Sequence, residues 1–179
     1  KDRMGRFSAK EGIAHKNNFL TIPVVDYWIL FIKEKLIQRF PPLTFKKHTF
    51  NFINTIDIDN AFAYLEKGFV RTFVSLVRDL LQFNFKKIKE KSQVLLSKKQ
   101  DPYDQYNHLL TIHKKYNLKT IFFFLLADYG FNDKNINPSN RRLQTQIKEI
   151  ADYCDIGIHA SYSSLTNPNN LFTEIKRLE

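Results

Sequence analysis

The sequence predicts an α/β fold with parallel strands joined by helical crossovers. Three observations lead there. Residues 50–58, 120–127 and 154–159 are short, nearly apolar segments with the composition of buried strands. Patterns with helical spacing lie between them. The second and third segments begin about 35 residues apart, a spacing normal for a barrel of βα units.

The elements follow in chain order. Val24, Val25, Tyr27, Trp28, Leu30, Phe31, Ile32 and Leu36 form a broad apolar stripe after Pro23, so a helix is predicted there, stopped by Pro41-Pro42. Phe50, Phe52, Ile53, Ile56 and Ile58 make the first strand. A helix over 69–82 places Phe69, Phe73, Leu76, Val77, Leu80 and Leu81 on one face. Lys86, Lys87, Lys89, Lys91, Lys98 and Lys99 follow with only Glu90 opposing. Asp101-Pro102 reads as a helix start, Asp as cap and Pro in the first turn, with Asn117 as the stop. TIFFFLLA, residues 120–127, reads as a strand buried on both faces. Asp128 to Pro138 is a polar loop, followed by a helix over about 139–152 with Leu143, Ile147 and Ile150 inward. CDIGIH, residues 154–159, is the third strand, and Asn167-Pro168 opens another helix. The first crossover, from Asp59 to Thr120, is far longer than usual βα connections, so extra helices are expected inside it.

The 179 residues suit one ordinary domain or a piece of a larger one. At 43% hydrophobic and 26% charged, the chain reads as globular and soluble. The net charge of +10 comes from 20 Lys and 8 Arg. A Lys-led excess is weak evidence for nucleic acid, whose readers lean on Arg forks, so a nucleic-acid partner is not the expected one. The Lys86–Lys99 run with Phe83 and Phe85 nevertheless suits nucleic acid or an anionic glycan if it is not a solvated helix face. The single Cys154 excludes an internal disulfide and a Cys-based zinc cage. No apolar run reaches the ~18 residues of a membrane span. Lys1-Asp2-Arg3 carries no signal-peptide pattern. The start without Met, and Glu179 inside a helical pattern, make both ends read as cut.

In parallel βα sheets, ligands sit at the C-terminal ends of the strands. The first strand exits into Asp57 and Asp59, the second into Asp128 and Tyr129, the third into His159, Ser161, Tyr162 and Ser163. All three exits are polar on one rim. Two carboxylates as close as Asp57 and Asp59 stay ionised cheaply when a cation sits between them. Alternatively, Asp59 caps the next helix and Asp57 is simply solvated. His159 is either a metal ligand or a hydrogen-bonded structural residue. Ser161 and Ser163 lie near it but are weak donors; Asp59 is the better partner. Cys154, at the strand start, reads as inert packing. No G-x-S-x-G elbow accompanies the serines. His108 and His113, five residues apart, do not share a metal-binding face and read as surface residues.

Two of these segments resemble motifs of the polysaccharide deacetylase family. Thr55-Ile56-Asp57-Ile58-Asp59 resembles its first motif, Thr-Phe-Asp-Asp, and more closely a Thr-His-Asp-Val-Asp variant of bacterial proteins with an extra N-terminal region. IGIHASYSS, residues 156–164, resembles the second motif, Ile-Gly-x-His-x-x-x-His. Residues 101–130 are similar to that branch between the motifs. The resemblance implies that residues 50–179 are the N-terminal part of a distorted (β/α) barrel and residues 1–49 the tail of an accessory region. It implies a divalent metal, zinc first, and removal of acetyl groups from N-acetylated sugars of a polysaccharide or glycan. Asp57 would be the general base, Asp59 a metal ligand and His159 the first ligand histidine. The second histidine position holds Ser163, a poor zinc ligand, which leaves Asp128 as a candidate donor. A non-catalytic carbohydrate-binding remnant and a barrel glycosidase remain the alternatives.

Four expectations follow. The three strands should be parallel neighbours. Asp57, Asp59 and His159 should converge, with metal donors roughly 3–4 Å apart. Residues 60–100 should flank the site, their lysines suiting an anionic glycan, or else form a plain surface helix pair. Residues 1–179 taken alone should release no acetate and should leave Phe122, Phe123, Phe124, Leu125 and Leu126 partly exposed.

Overall fold

The computed structural model describes residues 5–47 and 49–179. Lys1, Asp2 and Arg3, read above as a cut start, lie outside the described residues. The chain forms two compact units, Lys1–Phe50 and Asn51–Glu179.

The first unit holds a 3₁₀ turn at Ala9–Glu11, a short helix α1 at Ile13–Lys16 and the long helix α2 at Val24–Arg39. Pro23 precedes α2 and Pro41-Pro42 follow its cap at Phe40, as the prolines predict. Most apolar residues of α2 are exposed, Trp28, Phe31 and Ile32 among them, while Val24 is half-buried.

The second unit contains a three-stranded sheet in the order β1-β2-β3, all parallel: β1 Ile53–Ile58, β2 Lys119–Phe124 and β3 Asp155–Ile158. The expected neighbours and direction are therefore present. The long crossover carries α3 Phe69–Leu81, α4 Phe85–Leu95 and α5 Tyr106–Tyr116. Helix α6 Arg141–Ala151 joins β2 to β3, and α7 Tyr162–Thr166 and α8 Pro168–Leu178 follow β3. Local chemistry sets most boundaries. Gly68, at φ 77°, precedes α3 in a conformation that costs a side-chain-bearing residue strain. Asn140 caps α6 by accepting from the Leu143 N–H, and Asn117 ends α5 in the left-handed region at φ 48°.

The register sorts the sheet into two faces. Ile56, Phe122 and Ile156 lie side by side, as do Ile58, Phe124 and Ile158. These residues meet Tyr106 and Leu109 of α5, Leu143, Ile147 and Ile150 of α6, and Leu178 of α8 in one core. The other face carries Asp57, Phe123 and Gly157 in register, all exposed or half-buried. Burial on one face explains why the first strand alternates half-buried and exposed residues.

Several expectations are corrected here. Phe122, Phe124, Leu125 and Leu126 are buried; only Phe123 is half-buried. Helices α5 and α6 and Ile136 cover the face that an isolated sheet would expose. TIFFFLLA is correspondingly not buried on both faces, and the strand ends at Phe124. Asp101 does not cap a helix. Residues 102–105 form a turn, α5 starts at Tyr106, and the Asp101 carboxylate accepts instead from the N–H groups of Ala63, Tyr64, Leu65 and Tyr103 at 2.7–3.1 Å. The loop after β2 is more than a polar surface. Asp133, Asn135 and Ile136 are buried, and Asn135 donates to the Ala127 and Ile136 carbonyls. His113 is a buried residue rather than a surface one, edge-on to Phe122 with Nε2 3.2 Å from Asn54 Nδ2.

Candidate functional site

The three strand exits lie at one level because the ladder runs one residue past each strand. The Leu125 N–H donates to the Ile58 carbonyl at 3.2 Å, and the His159 N–H to the Phe124 carbonyl at 2.9 Å. Alternation along β1 then puts Asp57 and Asp59 on the same exposed side. On β3 the same rule puts His159 in line with Gly157, away from Ile156 and Ile158. Asp59 Oδ1 and His159 Nε2 come within 3.6 Å of each other across the exit of β2.

A cavity of about 430 Å³ surrounds this pair, with Leu125, Lys134, Ser161 and Tyr162 in its wall. Asp59 also borders a second cavity of about 450 Å³, which holds Asp57 with Tyr103, Gln105 and Tyr106. Asp59, with Asn60, is thus shared wall between the carboxylate beside it and the imidazole across from it. His159 Nδ1 is buried without a hydrogen-bond partner among the described residues, while Nε2 faces Asp59.

The remaining candidates are placed differently. Asp128 and Ser163 line a third cavity of about 390 Å³. The Asp128 carboxylate is held by Arg177 at 2.6 Å. The Ser163 hydroxyl is 2.9 Å from the Ser161 hydroxyl, which also accepts from the Ser164 N–H and so caps α7. Neither Asp128 nor Ser163 lines the cavity of the Asp59–His159 pair. Ser161 does, but its oxygen is committed to the turn. Cys154 is half-buried against the core, and burial raises its thiol, with Asp155 adding to the rise, as suits a packing residue.

Buried acids missed in the sequence hold the rim in shape. Asp133, from the loop after β2, accepts the N–H groups of Tyr162 at 2.8 Å and Ser163 at 3.0 Å. Glu174 of α8, buried, accepts from the Ser161 N–H at 3.2 Å. Asp101 does the same for the loop after β1. Burial alone would raise its carboxyl, yet four backbone N–H donors together hold it below the usual range. In the sequence Asp133 is one polar residue of the loop after the second strand, and nothing singles out Glu174. Their burial follows from chain segments that meet in space.

The residue types at the Asp59–His159 pair fit a divalent ion. A carboxylate oxygen and an imidazole nitrogen are ordinary zinc ligands, and two ligands at about 2.0–2.2 Å from one ion stand close to the observed separation. Among the described residues, no group of three or more His, Cys, Asp or Glu side chains converges there. The pair would supply two protein donors to such an ion.

Electropositive residues lie beside the pair. Lys134 shares its cavity, and Lys67 Nζ donates to Asn60 Oδ1 at 3.4 Å, Asn60 being another wall residue. The α4 lysines line none of these three cavities. Lys91, read as part of a solvated basic face, is instead buried and ion-paired with Asp79 of α3.

No helix among the described residues is long and apolar enough to cross a membrane. Residues 1–41 match a family model described as a family of unknown function, DUF7033. No curated protein and no solved structure matches the chain.

Proposed function

We propose that residues 51–179 are part of a (β/α) barrel of the polysaccharide deacetylase type, and that its rim serves amide hydrolysis on N-acetylated sugars with a divalent metal, zinc first. Two structural features support the barrel reading. The helices α5, α6 and α8 share one core on one face of a parallel sheet, whereas a doubly wound sheet is covered on both. The uncovered face carries Asp57, Phe123 and Gly157, where a closed barrel has its interior. The observation that carries the functional reading is the approach of Asp59 to His159 at 3.6 Å, from strands separated by β2. The resemblance of residues 55–59 and 156–164 to the family's motifs gives that approach its chemical meaning.

In this reading Asp59 and His159 hold the ion, which when bound lowers the pKa of water and polarises the amide carbonyl. Asp57 sits two residues before Asp59 on the same exposed side of β1 and takes the proton of the attacking water. The buried Leu125 floor shields the exit of β2 from solvent. Asp133 and Glu174 fix the backbone after His159, which holds the imidazole at the level of Asp59.

One observation favours the second reading, a non-catalytic carbohydrate-binding rim. The residue at the second histidine position, Ser163, faces another cavity with its hydroxyl occupied. Titration of zinc into the full chain, with acetate release from N-acetylated oligosaccharides followed in parallel, separates the two. The hydrolase reading expects one ion per chain, lost in Asp59→Ala and His159→Ala and kept in Asp57→Asn, with metal-dependent acetate release only where residues 51–179 stand in the whole barrel, abolished there by Asp57→Asn. Oligosaccharide binding with no metal uptake establishes the binding module instead.

A further inference from the structure

A cleft of about 400 Å³ opens between α3 and the loop after β2, and four cations line it: Lys67, Arg71, Arg78 and Lys134. The rest of its wall is Tyr129, Ser75 and two valines, with no carboxylate. Among the described residues, none of the four cations has an ion-pair partner, while the neighbouring Lys91 is neutralised by Asp79. Like charges gathered without a counter-charge repel one another, and an anion between them relieves that cost.

The cleft is built as well as charged. Arg71 donates to the Lys134 carbonyl at 3.0 Å and the Asn135 carbonyl at 3.3 Å, and its guanidinium lies 4.3 Å from the centre of the Tyr129 ring. These contacts fix the fork without neutralising it. Lys67 is half-buried, and burial first, Arg71 second, push its ammonium below the usual range. Asp101 opposes this shift from outside the cleft wall, its carboxylate held by four backbone N–H groups. The cleft adjoins the rim: Lys134 lines both this cleft and the cavity of Asp59 and His159, and Lys67 donates to Asn60 in that cavity's wall.

We infer that this cleft binds an acidic group of the ligand, a carboxylate or a phosphoryl or sulfuryl ester, on a sugar next to the one at the rim. The substrate class is then an anionic glycan. The glycan part of this assignment rests on the deacetylase reading; the anion part stands on the four unpaired cations alone. The basic flank that the sequence placed on the α4 lysines lies instead on α3 and on the loops after β1 and β2.

The test uses the full chain with two probes, an oligouronate and inorganic phosphate, each titrated at low and at physiological salt. Arg78→Gln and Lys67→Gln/Arg78→Gln reduce positive charge in the cleft, and Lys86→Gln/Lys87→Gln removes as much charge as the double variant outside it. The expected result is binding that weakens about tenfold in Lys67→Gln/Arg78→Gln, and less in Arg78→Gln, with the α4 variant close to wild type. Oligouronate binding of this kind assigns a uronate, and phosphate binding of this kind a phosphorylated sugar. Equal weakening in the α4 variant, or no binding of either probe at physiological salt, overturns the cleft. Zinc titration of the same proteins separates this from the deacetylase reading: a wild-type chain that takes up no zinc but binds either probe through the cleft leaves the cleft standing and removes the metal rim.

Discussion

Four backbone N–H groups from two loops converge on the one carboxylate of Asp101. Asp101→Ala leaves all four without an acceptor in a buried place, and a loss of about 2–4 kcal/mol is expected in urea denaturation. The same residue sets an acid limit. Its folded carboxyl lies below the ordinary aspartate value of 3.8, so the unfolded chain takes up the proton first as pH falls. The stability it contributes is complete above that value and is lost as pH drops through the lower folded one. His113 acts in a higher window. Burial lowers its imidazole below 6.5, so the unfolded chain again protonates first, and stability falls as pH drops below that value. Urea midpoints measured from about pH 8 down to about pH 3 are expected to fall in two stages. His113→Gln should flatten the upper stage alone, and Asp101→Asn the lower; a single stage removed by neither change counts against both assignments. Gly157 is a packing residue. A Cβ there would lie 2.7 Å from the Phe123 ring, its register partner on the open face. Gly157→Ala is expected to cost about 1–3 kcal/mol, and much less in a Phe123→Leu background, read as a double-mutant cycle.

Helix α3 has the expected amphipathic pattern in an unexpected orientation. Its polar side faces the body of the unit: Asp79 is buried on Lys91, the Lys91 ammonium also donates to Ser75 Oγ, and Arg71 reaches the carbonyls of the loop after β2. Phe69, Phe73, Leu80 and Leu81 point outward, with Phe69 and Phe73 stacked 6.3 Å apart. Hydrophobic spacing therefore located the helix correctly while giving no information about the side that packs. The buried pair decides the orientation, because an unpaired charge cannot stay there. Lys91→Met should destabilise the chain by about 3–5 kcal/mol by stranding Asp79, and Asp79→Leu/Lys91→Met should recover most of that loss. Phe69→Gln and Phe73→Gln, by contrast, should each change stability by no more than about 0.5 kcal/mol. Equilibrium denaturation of the four variants checks the reversal of faces directly: a large loss in the Phe variants and none in Lys91→Met means that α3 packs by its apolar side.

At the scale of the whole chain, the proposed rim belongs to the unit Asn51–Glu179, and metal binding should stabilise that unit. Zinc at about 100 times its dissociation constant adds about 2.7 kcal/mol. A rise in melting temperature that disappears in His159→Ala checks this; an unchanged melting temperature in wild type speaks against an ion between Asp59 and His159. Much of this unit was legible beforehand. The three strands, their parallel order, and the apolar faces of α6 follow from local composition and period, because a buried strand and an amphipathic helix are written in consecutive residues. The rim's Asp57, Asp59 and His159 were legible for the same reason, since parallel strands present their exits together. Other features depend on residues distant in sequence. Asp101 meets Ala63, Tyr64 and Leu65; Lys91 meets Asp79; Lys67, Arg71 and Arg78 gather around Lys134. In isolation a lysine reads as solvated and an aspartate before proline reads as a cap. By itself the sequence determined where the three strands and their crossover helices lie and that polar groups stand at the strand exits, though not that α5 begins at Tyr106 or that β2 ends at Phe124. Tertiary structure alone decided which charges are buried, paired or left without a counter-charge, because desolvation and Coulomb energy depend on distances between segments and not on their order along the chain.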